Sequence, residues 1–198
     1  MDEKISYKIL QFAEDHDGYV SVAEAKRFGI AQTYLVLAEE EGRFEKVAKG
    51  LYVKKGYPID PYYITHFRYP KIIFHLLSAA FLHGWISKEE SKTMMVKCPK
   101  NYMTSGIASC ACMHVNNEDY RLGIALALTE NGQFVPITDK ERTLVDFLKY
   151  GNRFEPTLVR KVIQNATRSN IDWDMFMSYA KTLRQESNAA LLEILYKE

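Results

Sequence analysis

The 198-residue sequence lacks an excess of charge of either sign. Its 26 lysines and arginines are matched by 25 aspartates and glutamates, which leaves a formal net charge of +1. Affinity for a polyanion would therefore have to come from local basic patches, because the chain as a whole has almost no charge to attract one. The composition neither indicates nor excludes nucleic-acid binding.

The sequence also lacks a long hydrophobic run. Its first residues, MDEKISYK, contain no basic segment followed by an apolar one, and no window approaches the ~18 uninterrupted apolar residues of a membrane span. We therefore expect a cytoplasmic protein that does not contact a membrane. A hydrophobic content of 47% is enough to build one large domain or two small ones.

Cysteine is scarce, with only Cys98, Cys110 and Cys112. An odd number of cysteines in a chain without an export signal indicates reduced thiols. On a strand, Cys110, Cys112 and His114 would project to one side, which raises zinc binding as an alternative. Because this run offers no obvious fourth ligand and cysteine packs as a small hydrophobe, we expect a core strand with neither metal nor cofactor.

Signatures of catalysis are missing as well. The sequence contains no glycine-rich phosphate loop, no GxSxG and no HExxH. The strand-like segments LGIALAL and QFVPI carry no carboxylate that could converge with a lysine on a metal, as a nuclease site requires. We therefore expect the protein not to be an enzyme.

What the N-terminal sequence does contain is the pattern of a winged helix-turn-helix over residues 1–55. EKISYKILQFAEDH places Ile5, Ile9, Phe12 and Ala13 on one helical face. Ser21 and Glu24 match a capping box before a short helix, a turn at 29 precedes a second helix, and RFEKVAKGLYVKKG alternates like a hairpin. Helix, helix, turn, helix and hairpin is the order of that fold.

The remainder is interpreted as a linker at 56–69 and a second domain at 70–198. The linker assignment rests on the prolines and tyrosines of KKGYPIDPYYITHFRYP. Beyond it, KIIFHLLSAAFLHG predicts a helix, strand-like runs follow, and Thr138 with Glu141 forms a second capping box before a helical tail. The expected class is α+β, with an N-terminal winged helix-turn-helix followed by a C-terminal α+β domain with a small sheet and a helical tail.

Candidate DNA contacts follow from the predicted recognition helix. Gln32 is suited to adenine, Thr33 to a base or phosphate, and Val36 to a thymine methyl group. Glu39, Glu40 and Glu41 belong to its last turn, which leaves the groove. Phosphate contacts are expected from basic residues of the preceding helix and of the wing, namely Lys26, Arg27, Arg43, Lys46, Lys49, Lys54 and Lys55. The alternative is a winged helix used for protein contact.

A second group of basic residues lies in the helical tail. Lys161 and Arg168 are seven residues apart on one helical face. The complete set is Lys149, Arg153, Arg160, Lys161 and Arg168. This surface could contact flanking DNA, RNA or a protein, although a face of this kind is more often simply solvated.

The chain resembles the AbiEi antitoxins of bacterial type IV toxin-antitoxin systems, which mediate abortive infection against phage. The resemblance rests on four features in this order: the helix-turn-helix, GRFEKVAKGLYV, SAAFLHGW and ITDKERTLVDFL. The resemblance runs to about Tyr150. It implies a winged helix-turn-helix that represses its own operon at inverted repeats, and a C-terminal domain that is required to neutralise toxicity. By position it places Gln32, Thr33 and Val36 on the DNA-facing helix, and Arg43, Lys46 and Lys49 on the wing.

The partners implied by this resemblance are promoter DNA with inverted repeats and a nucleotidyltransferase-like toxin that is opposed indirectly, without a stable complex. Self-association on DNA is possible, since two copies would cover one repeat. The alternative from another class is a stand-alone winged-helix transcriptional regulator whose C-terminal domain senses a ligand or a protein.

Overall fold

A computed structural model describes residues 3–107 and 110–196, with side chains described from residue 7 in the first helix. Ile5, which the periodicity assigns to the core face, therefore lies outside the described side chains. The chain forms two compact units, of which the first comprises residues 1–68 with 129–133, and the second comprises residues 69–128 with 134–198. No helix among the described residues is long and apolar enough to cross a membrane.

The first unit has the winged helix-turn-helix order. Its elements are α1 (Glu3–Glu14), β1 (Tyr19–Ser21), α2 (Val22–Arg27), α3 (Gln32–Glu40), β2 (Phe44–Ala48), β3 (Leu51–Lys54) and α4 (Pro61–Arg68). The strands form an antiparallel sheet in the order β1-β3-β2. The short β1 adds a strand to the wing hairpin that the sequence predicts.

Both faces of this sheet are covered. On one face Phe44 and Tyr52 pack with Ile9, Leu35 and Ala38 of the helices, all of them buried. On the other face the buried cluster of Tyr19, Leu51 and Val53 packs against side chains of α4 and the segment before it, including Tyr57, Tyr63, Ile64 and Phe67. The period-2 alternation of β3 is the cause, because successive side chains point to opposite faces of the sheet.

Helix α4 corrects the expectation of an irregular linker at 56–69. The buried carboxylate of Asp60 accepts hydrogen bonds from the backbone N–H groups of Tyr62 (2.9 Å) and Tyr63 (3.1 Å), and Pro61 occupies the first helical position. Proline is well tolerated there, because the first N–H groups of a helix have no intrahelical partner. The aspartate-proline pair therefore starts a helix in a segment where proline suggested none. The same carboxylate also accepts a hydrogen bond from the Thr129 hydroxyl.

The second unit is a mixed sheet with a helical layer. Its strands are β4 (Ile73–Phe74), β5 (Met94–Pro99), β6 (Cys110–Val115), β7 (Ile124–Leu128) and β8 (Phe134–Thr138), in the order β6-β5-β4-β8-β7. Its helices are α5 (Leu77–Leu82), α6 (Asn117–Arg121), α7 (Lys140–Tyr150), α8 (Pro156–Thr167), α9 (Trp173–Thr182) and α10 (Glu186–Tyr196). Leu144, Val145, Phe147, Val162 and Phe176 are central to its core. The α+β class expected from the sequence is confirmed.

The long helix expected over 71–84 is wrong in its first half. Ile73 and Phe74 form β4, which pairs antiparallel with β5 and parallel with β8 at the centre of the sheet. The run Ile72–Phe74 is buried, and a short apolar run of this kind is compatible with either a helix or a strand. Its pairing with the neighbouring strands determines that it is a strand. Only Leu77–Leu82 is helical.

The helix start predicted at Thr138 lies one residue later. Asp139 is the N-cap of α7, and its Oδ1 accepts a hydrogen bond from the Arg142 backbone N–H at 2.7 Å. Thr138 instead closes β8 and its hydroxyl bonds to that of Thr143, while the Glu141 carboxylate accepts from the backbone N–H of Asp172. Both groups of the expected capping box are therefore used elsewhere in the unit.

Candidate nucleic-acid interface

The exposed start of α3 carries the residues expected to read bases. Leu35 and Ala38 are buried, and Ile30 fills the core before the helix, as the periodicity predicts. Gln32 and Thr33 are exposed on the first turn, and Val36 is half-buried. The structure therefore leaves the amide and the hydroxyl free to meet a ligand, with the methyl groups of Val36 less accessible.

The turn before α3 has the tight geometry of a helix-turn-helix. Gly29 adopts a φ of +74°, a left-handed conformation that glycine accepts without strain. The Ile30 backbone N–H donates to the Ala25 carbonyl at 2.9 Å and closes the end of α2. At the other end of α2, Ser21 Oγ accepts from the Glu24 backbone N–H (3.2 Å) and donates to the Glu24 carboxylate (2.5 Å), which confirms Ser21 as the cap.

A shallow groove joins two of the predicted contact residues. It has a volume of about 490 Å³ and is lined by Val22 and Lys26 of α2, by Gly29, Ile30 and Ala31 of the turn, and by Gln32 of α3. Lys26 and Arg27 are both exposed. The ammonium group of Lys26 and the amide of Gln32, which the sequence predicts to contact a base, therefore border the same concave surface.

The tip of the wing is anchored to this groove. The backbone N–H of Val22 donates to the carbonyl of Gly50 at 2.8 Å, and Val22 also lines the groove. Gly50 adopts a φ of +79° in the turn between β2 and β3, beside the exposed Lys49. Lys46, opposite Tyr52 in the hairpin, is exposed as well. Sequence reasoning misses Val22, because a valine at the start of a helix is usually an ordinary core residue.

The opposite end of the wing is different, because Lys54 and Arg43 already have acidic neighbours. Lys54 donates a hydrogen bond to the Glu14 carboxylate, which also accepts from the Tyr57 hydroxyl. These hydrogen bonds, that from Lys54 first, lower the pKa of Glu14. Arg43 pairs with Glu41, and Lys55 is exposed nearby. The structure therefore divides the predicted phosphate contacts into a group near the groove and a group near carboxylates.

The glutamates at the end of α3 occupy three different settings. Glu41 pairs with Arg43, Glu40 is exposed, and Glu39 is half-buried. Burial, and then the charge of Glu39, raises the pKa of the Tyr52 hydroxyl. Glu40 and Glu41 are therefore the more exposed of the three acidic groups.

The predicted second basic surface is interrupted by acidic and aromatic neighbours. Lys161 Nζ lies 2.8 Å from both carboxylate oxygens of Glu90, and Lys149 Nζ lies 3.8 Å from Asp119. Lys149 and Arg153 both lie over the Tyr150 ring, at 5.1 and 4.8 Å from its centroid. Arg160 and Arg168 are exposed.

The second unit also contains a buried ionic cluster centred on Arg142. Its Nε donates to Asp146 at 2.9 Å, the i, i+4 pair suggested by the sequence, and its Nη2 donates to Asp119 at 2.5 Å. Burial raises the pKa of Asp146. For Asp119 burial acts in the same direction, but the hydrogen bond and the charge of Arg142 outweigh it and lower the pKa. Sequence reasoning misses Asp119, because residues 117–121 have no strong helical pattern.

Two further titratable groups are buried near this cluster. Burial, followed by the charge of Arg142, lowers the pKa of Lys97 to about 8, and Lys97 Nζ donates to the carbonyl of Asp119 at 3.1 Å. Burial, followed by the charges of Lys97 and Arg142, lowers the pKa of His75 to about 3. His75 Nε2 has no hydrogen-bond partner among the described residues. Both side chains are buried and therefore lie out of reach of a macromolecular partner.

The cysteine segment forms β6, an edge strand. Cys98, Cys110 and Cys112 form no disulfide within the part of the chain that the structure describes, and His114 Nε2 lies 3.0 Å from the carbonyl oxygen of Tyr102. Burial raises the pKa of Cys98 to about 11. Within residues 3–107 and 110–196, no group of three or more His, Cys, Asp or Glu side chains is arranged to hold a metal ion.

Comparison with known proteins connects the interface to a family. Residues 7–53 match the family described as "Transcriptional regulator, AbiEi antitoxin". The matched segment extends from α1 into β3, so it contains α3, the groove and the wing turn. No curated protein sequence matches the chain.

A solved structure is similar to almost the whole chain. The crystal structure of the RV2827C protein from Mycobacterium tuberculosis superposes with a TM-score of 0.59, covering 94% of this chain and 79% of that one. The two sequences are 15% identical. At this identity the similarity shows a shared fold.

Proposed function

We propose that this protein is the antitoxin of a type IV, abortive-infection toxin-antitoxin system and represses its own promoter, because residues 7–53 match the family of AbiEi antitoxins and transcriptional regulators. Repression works by occlusion, with one winged domain on each half-site of an inverted repeat. The protein acts in the cytoplasm, where the promoter is, and contributes to phage resistance.

The groove between α2 and α3 is the observation that carries the DNA-binding part of this proposal. It places Lys26 beside Gln32, and Val22 connects it to the wing turn with Lys49. Gln32 pairs bidentately with adenine, Thr33 and Val36 support this contact, and the cations hold phosphates on either side. Of the wider set, Arg27, Lys46 and Lys55 add exposed charge, whereas Arg43 and Lys54 contribute less because carboxylates neutralise them.

In the antitoxin part of the proposal, the chain opposes a nucleotidyltransferase-like toxin indirectly and forms no stable complex with it. The chain performs no catalysis. The second unit, with its buried ionic cluster and helical layer, is the part required for neutralisation, and Arg160 and Arg168 remain available there for contacts with other molecules.

The DNA-binding part is tested with the full chain and a fragment of its own promoter. We expect a mobility shift with the native repeat and a weaker, strongly salt-dependent shift with a scrambled repeat. Gln32→Ala should reduce the preference for the native repeat by about tenfold to a hundredfold, since a bidentate base contact contributes about 1–3 kcal/mol of discrimination. Gln164→Ala, an exposed glutamine of α8, is the matched control. A promoter fragment that never shifts would refute the repressor assignment.

The antitoxin part is tested by co-expression with the neighbouring toxin gene. Growth should be restored by the full chain and by Gln32→Ala, because neutralisation does not require promoter recognition. Continued growth arrest in the presence of well-expressed wild-type protein would refute it.

An apolar cavity in the second unit favours one alternative, a stand-alone regulator that senses a ligand. The cavity has a volume of about 470 Å³, and its lining includes Phe154, Val159, Ile163, Leu192 and Leu195. Pockets of this size and character accept small molecules. Promoter binding without any rescue from a toxin, together with release of the promoter by a small apolar effector, would favour this alternative.

A further inference from the structure

A small polar pocket lies in the second unit, beside the start of α6, the last turn of α7 and the end of α9. Its volume is about 230 Å³, which is below the ~300–1,000 Å³ of pockets that hold drug-sized molecules. Its polar lining residues, which we call the polar pocket, are Asn116, Glu118, Asp119, Lys149, Thr182 and Arg184. Two carboxylates and two cations therefore border one small space.

Asp119 gives the polar pocket a fixed negative group. Its Oδ1 accepts a hydrogen bond from Arg142 Nη2 at 2.5 Å, and its backbone N–H donates to Asn116 Oδ1 at 2.8 Å. Although Asp119 is only 9% exposed, its Oδ2 accepts no hydrogen bond from the residues that the structure describes. Lys149 Nζ lies 3.8 Å from Oδ2, which is too far for a hydrogen bond. Because buried polar atoms are normally hydrogen-bonded, Oδ2 is available to a donor on a ligand.

Arg184 gives the polar pocket an unpaired positive group. It follows α9 with a φ of +59°, a left-handed conformation that few side chains adopt without strain. Arg184 is exposed, and its guanidinium makes no hydrogen bond or ion pair with any described residue. A strained residue whose charged group has no partner in the protein is a candidate for contact with a ligand.

We propose that the polar pocket binds a free α-amino acid with a small polar side chain. The ammonium group of the ligand donates to Asp119 Oδ2, with the exposed carboxylate of Glu118 nearby. Its carboxylate accepts from Lys149 and Arg184. The amide of Asn116 and the hydroxyl of Thr182 remain for hydrogen bonds with the side chain of the ligand.

The charges of the polar pocket favour a zwitterion over a simple ion. An anion such as phosphate would bring negative charge against Asp119, and a cation would bring positive charge against Lys149 and Arg184, and like charges in contact are unfavourable. In an α-amino acid the ammonium and carboxylate groups are attached to the same carbon atom. Both can therefore lie against Asp119 and Lys149, whose charged groups are 3.8 Å apart. Opposite charges then meet on both sides, in a partly buried site where water and salt screen them less than at an open surface.

This inference goes beyond promoter binding and opposition to a toxin, and it depends on neither. Every residue of the polar pocket lies within the second unit, whereas the predicted DNA contacts at 26–55 lie in the first. Binding would make the stability of the second unit depend on the supply of a free amino acid, because a ligand stabilises the folded state that binds it.

Isothermal titration calorimetry of the full-length protein tests the inference, with L-serine, L-asparagine and L-glutamine as probes. At least one of them should bind with one site per chain at concentrations up to about 10 mM, where a Kd of about 1 mM already gives high occupancy. The N-acetyl derivative of that amino acid lacks the positive charge, and its C-terminal amide lacks the negative charge. Each should therefore bind at least about tenfold more weakly, since a hydrogen bond to a charged group is lost.

Arg184→Asn separates ligand binding from folding. Asparagine adopts the left-handed conformation more readily than arginine, so the variant should be at least as resistant to urea as the wild type. Its affinity for the amino acid should fall at least about tenfold, because the guanidinium is lost. Lys181→Gln is the matched control, since it removes a positive charge from an exposed residue of α9 that does not line the polar pocket. This variant should bind like the wild type.

The inference is overturned if none of the three amino acids binds, if the N-acetyl derivative binds as well as the free amino acid, or if Arg184→Asn binds like the wild type. Equal losses in Lys181→Gln and Arg184→Asn would attribute the effect to overall charge and also overturn it. Inorganic phosphate that displaces the amino acid would assign the polar pocket to anions, with the same consequence. Amino-acid binding by a protein that never shifts its promoter would refute the repressor function alone.

Discussion

The ammonium group of Lys54 on the wing donates a hydrogen bond to the carboxylate of Glu14 on the first helix. Lys49, five residues earlier in the sequence, is exposed beside the wing turn that contacts the start of α2. Two lysines of one hairpin therefore have different electrostatic roles. A count of basic residues in the wing does not reveal this difference.

This difference predicts unequal effects on DNA binding. Lys49→Ala should lower the affinity for promoter and random DNA alike, and should reduce the slope of log K against log salt by about 1, since one phosphate contact is lost. Lys54→Ala should change both quantities little, because its charge is already compensated. Fluorescence anisotropy between 50 and 200 mM salt measures both, and equal losses for the two variants would contradict the division of the wing.

The acidic end of α3 predicts an effect on specificity. The carboxylate of Glu40 is exposed to solvent. It therefore repels phosphates wherever this end of α3 approaches DNA. Glu40→Gln should tighten binding to random DNA more than binding to the operator, where the fixed docking geometry turns this end of the helix away from the groove. Competition between labelled operator and unlabelled random DNA gives the ratio. Glu155→Gln, at an exposed residue before α8, is the control, and an unchanged ratio for Glu40→Gln would contradict the prediction.

The buried cluster of the second unit predicts a large loss of stability. Arg142→Met leaves Asp119 and Asp146 buried without their main partner, and breaking a buried pair in this way costs about 3–5 kcal/mol. Arg121→Met, at an exposed arginine of α6, should change the free energy of unfolding by less than about 0.5 kcal/mol. Urea denaturation followed by tryptophan fluorescence compares the two variants. A loss below 1 kcal/mol for Arg142→Met would show that the cluster relaxes or admits water.

The buried His75 predicts a loss of stability in acid. Its pKa falls from 6.5 to about 3 on folding, so below pH 6.5 the unfolded chain binds a proton that the folded chain does not. The free energy of unfolding therefore decreases as the pH falls from about 6.5 towards 3, and His75 accounts for about 2 kcal/mol of this decrease at pH 5. His75→Leu should remove that contribution.

The test is the difference in unfolding free energy between wild type and His75→Leu at pH 7 and at pH 5. Other titrating groups cancel in this difference, including His66 and His83, whose pKa values burial also lowers. Parallel curves for the two proteins would show that His75 gains a proton without unfolding.

The first unit was largely predictable because its signals are local. Periodicity located Ile9, Leu35 and Ala38 in the core, and Ser21 marked the start of α2. A cap or a helical stripe depends on residues within one or two turns, so the sequence alone contains the information.

The elements that sequence analysis missed depend on distant partners. Ile73 and Phe74 form a strand because β5 and β8 flank them. Helix α4 forms because Asp60 caps its first turn and because its aromatic side chains pack against the sheet of the first unit. The aspartate-proline pair at 60–61 was a usable sign of that helix, since this order is typical of an N-cap followed by the first helical residue. No local sign indicated that Glu14 would neutralise Lys54, because 40 residues separate them.

The hydrogen bond from Val22 to Gly50 fixes the distance between the wing turn and the start of α2, the helix that leads through the tight turn at Gly29 into α3. On the proposed interface, the phosphate that Lys49 contacts and the base that Gln32 reads must then keep one separation along the duplex. The first unit would therefore recognise the spacing between these two contacts as well as the base itself. One base pair inserted between those two points in a half-site should therefore cost more affinity than a base substitution at either.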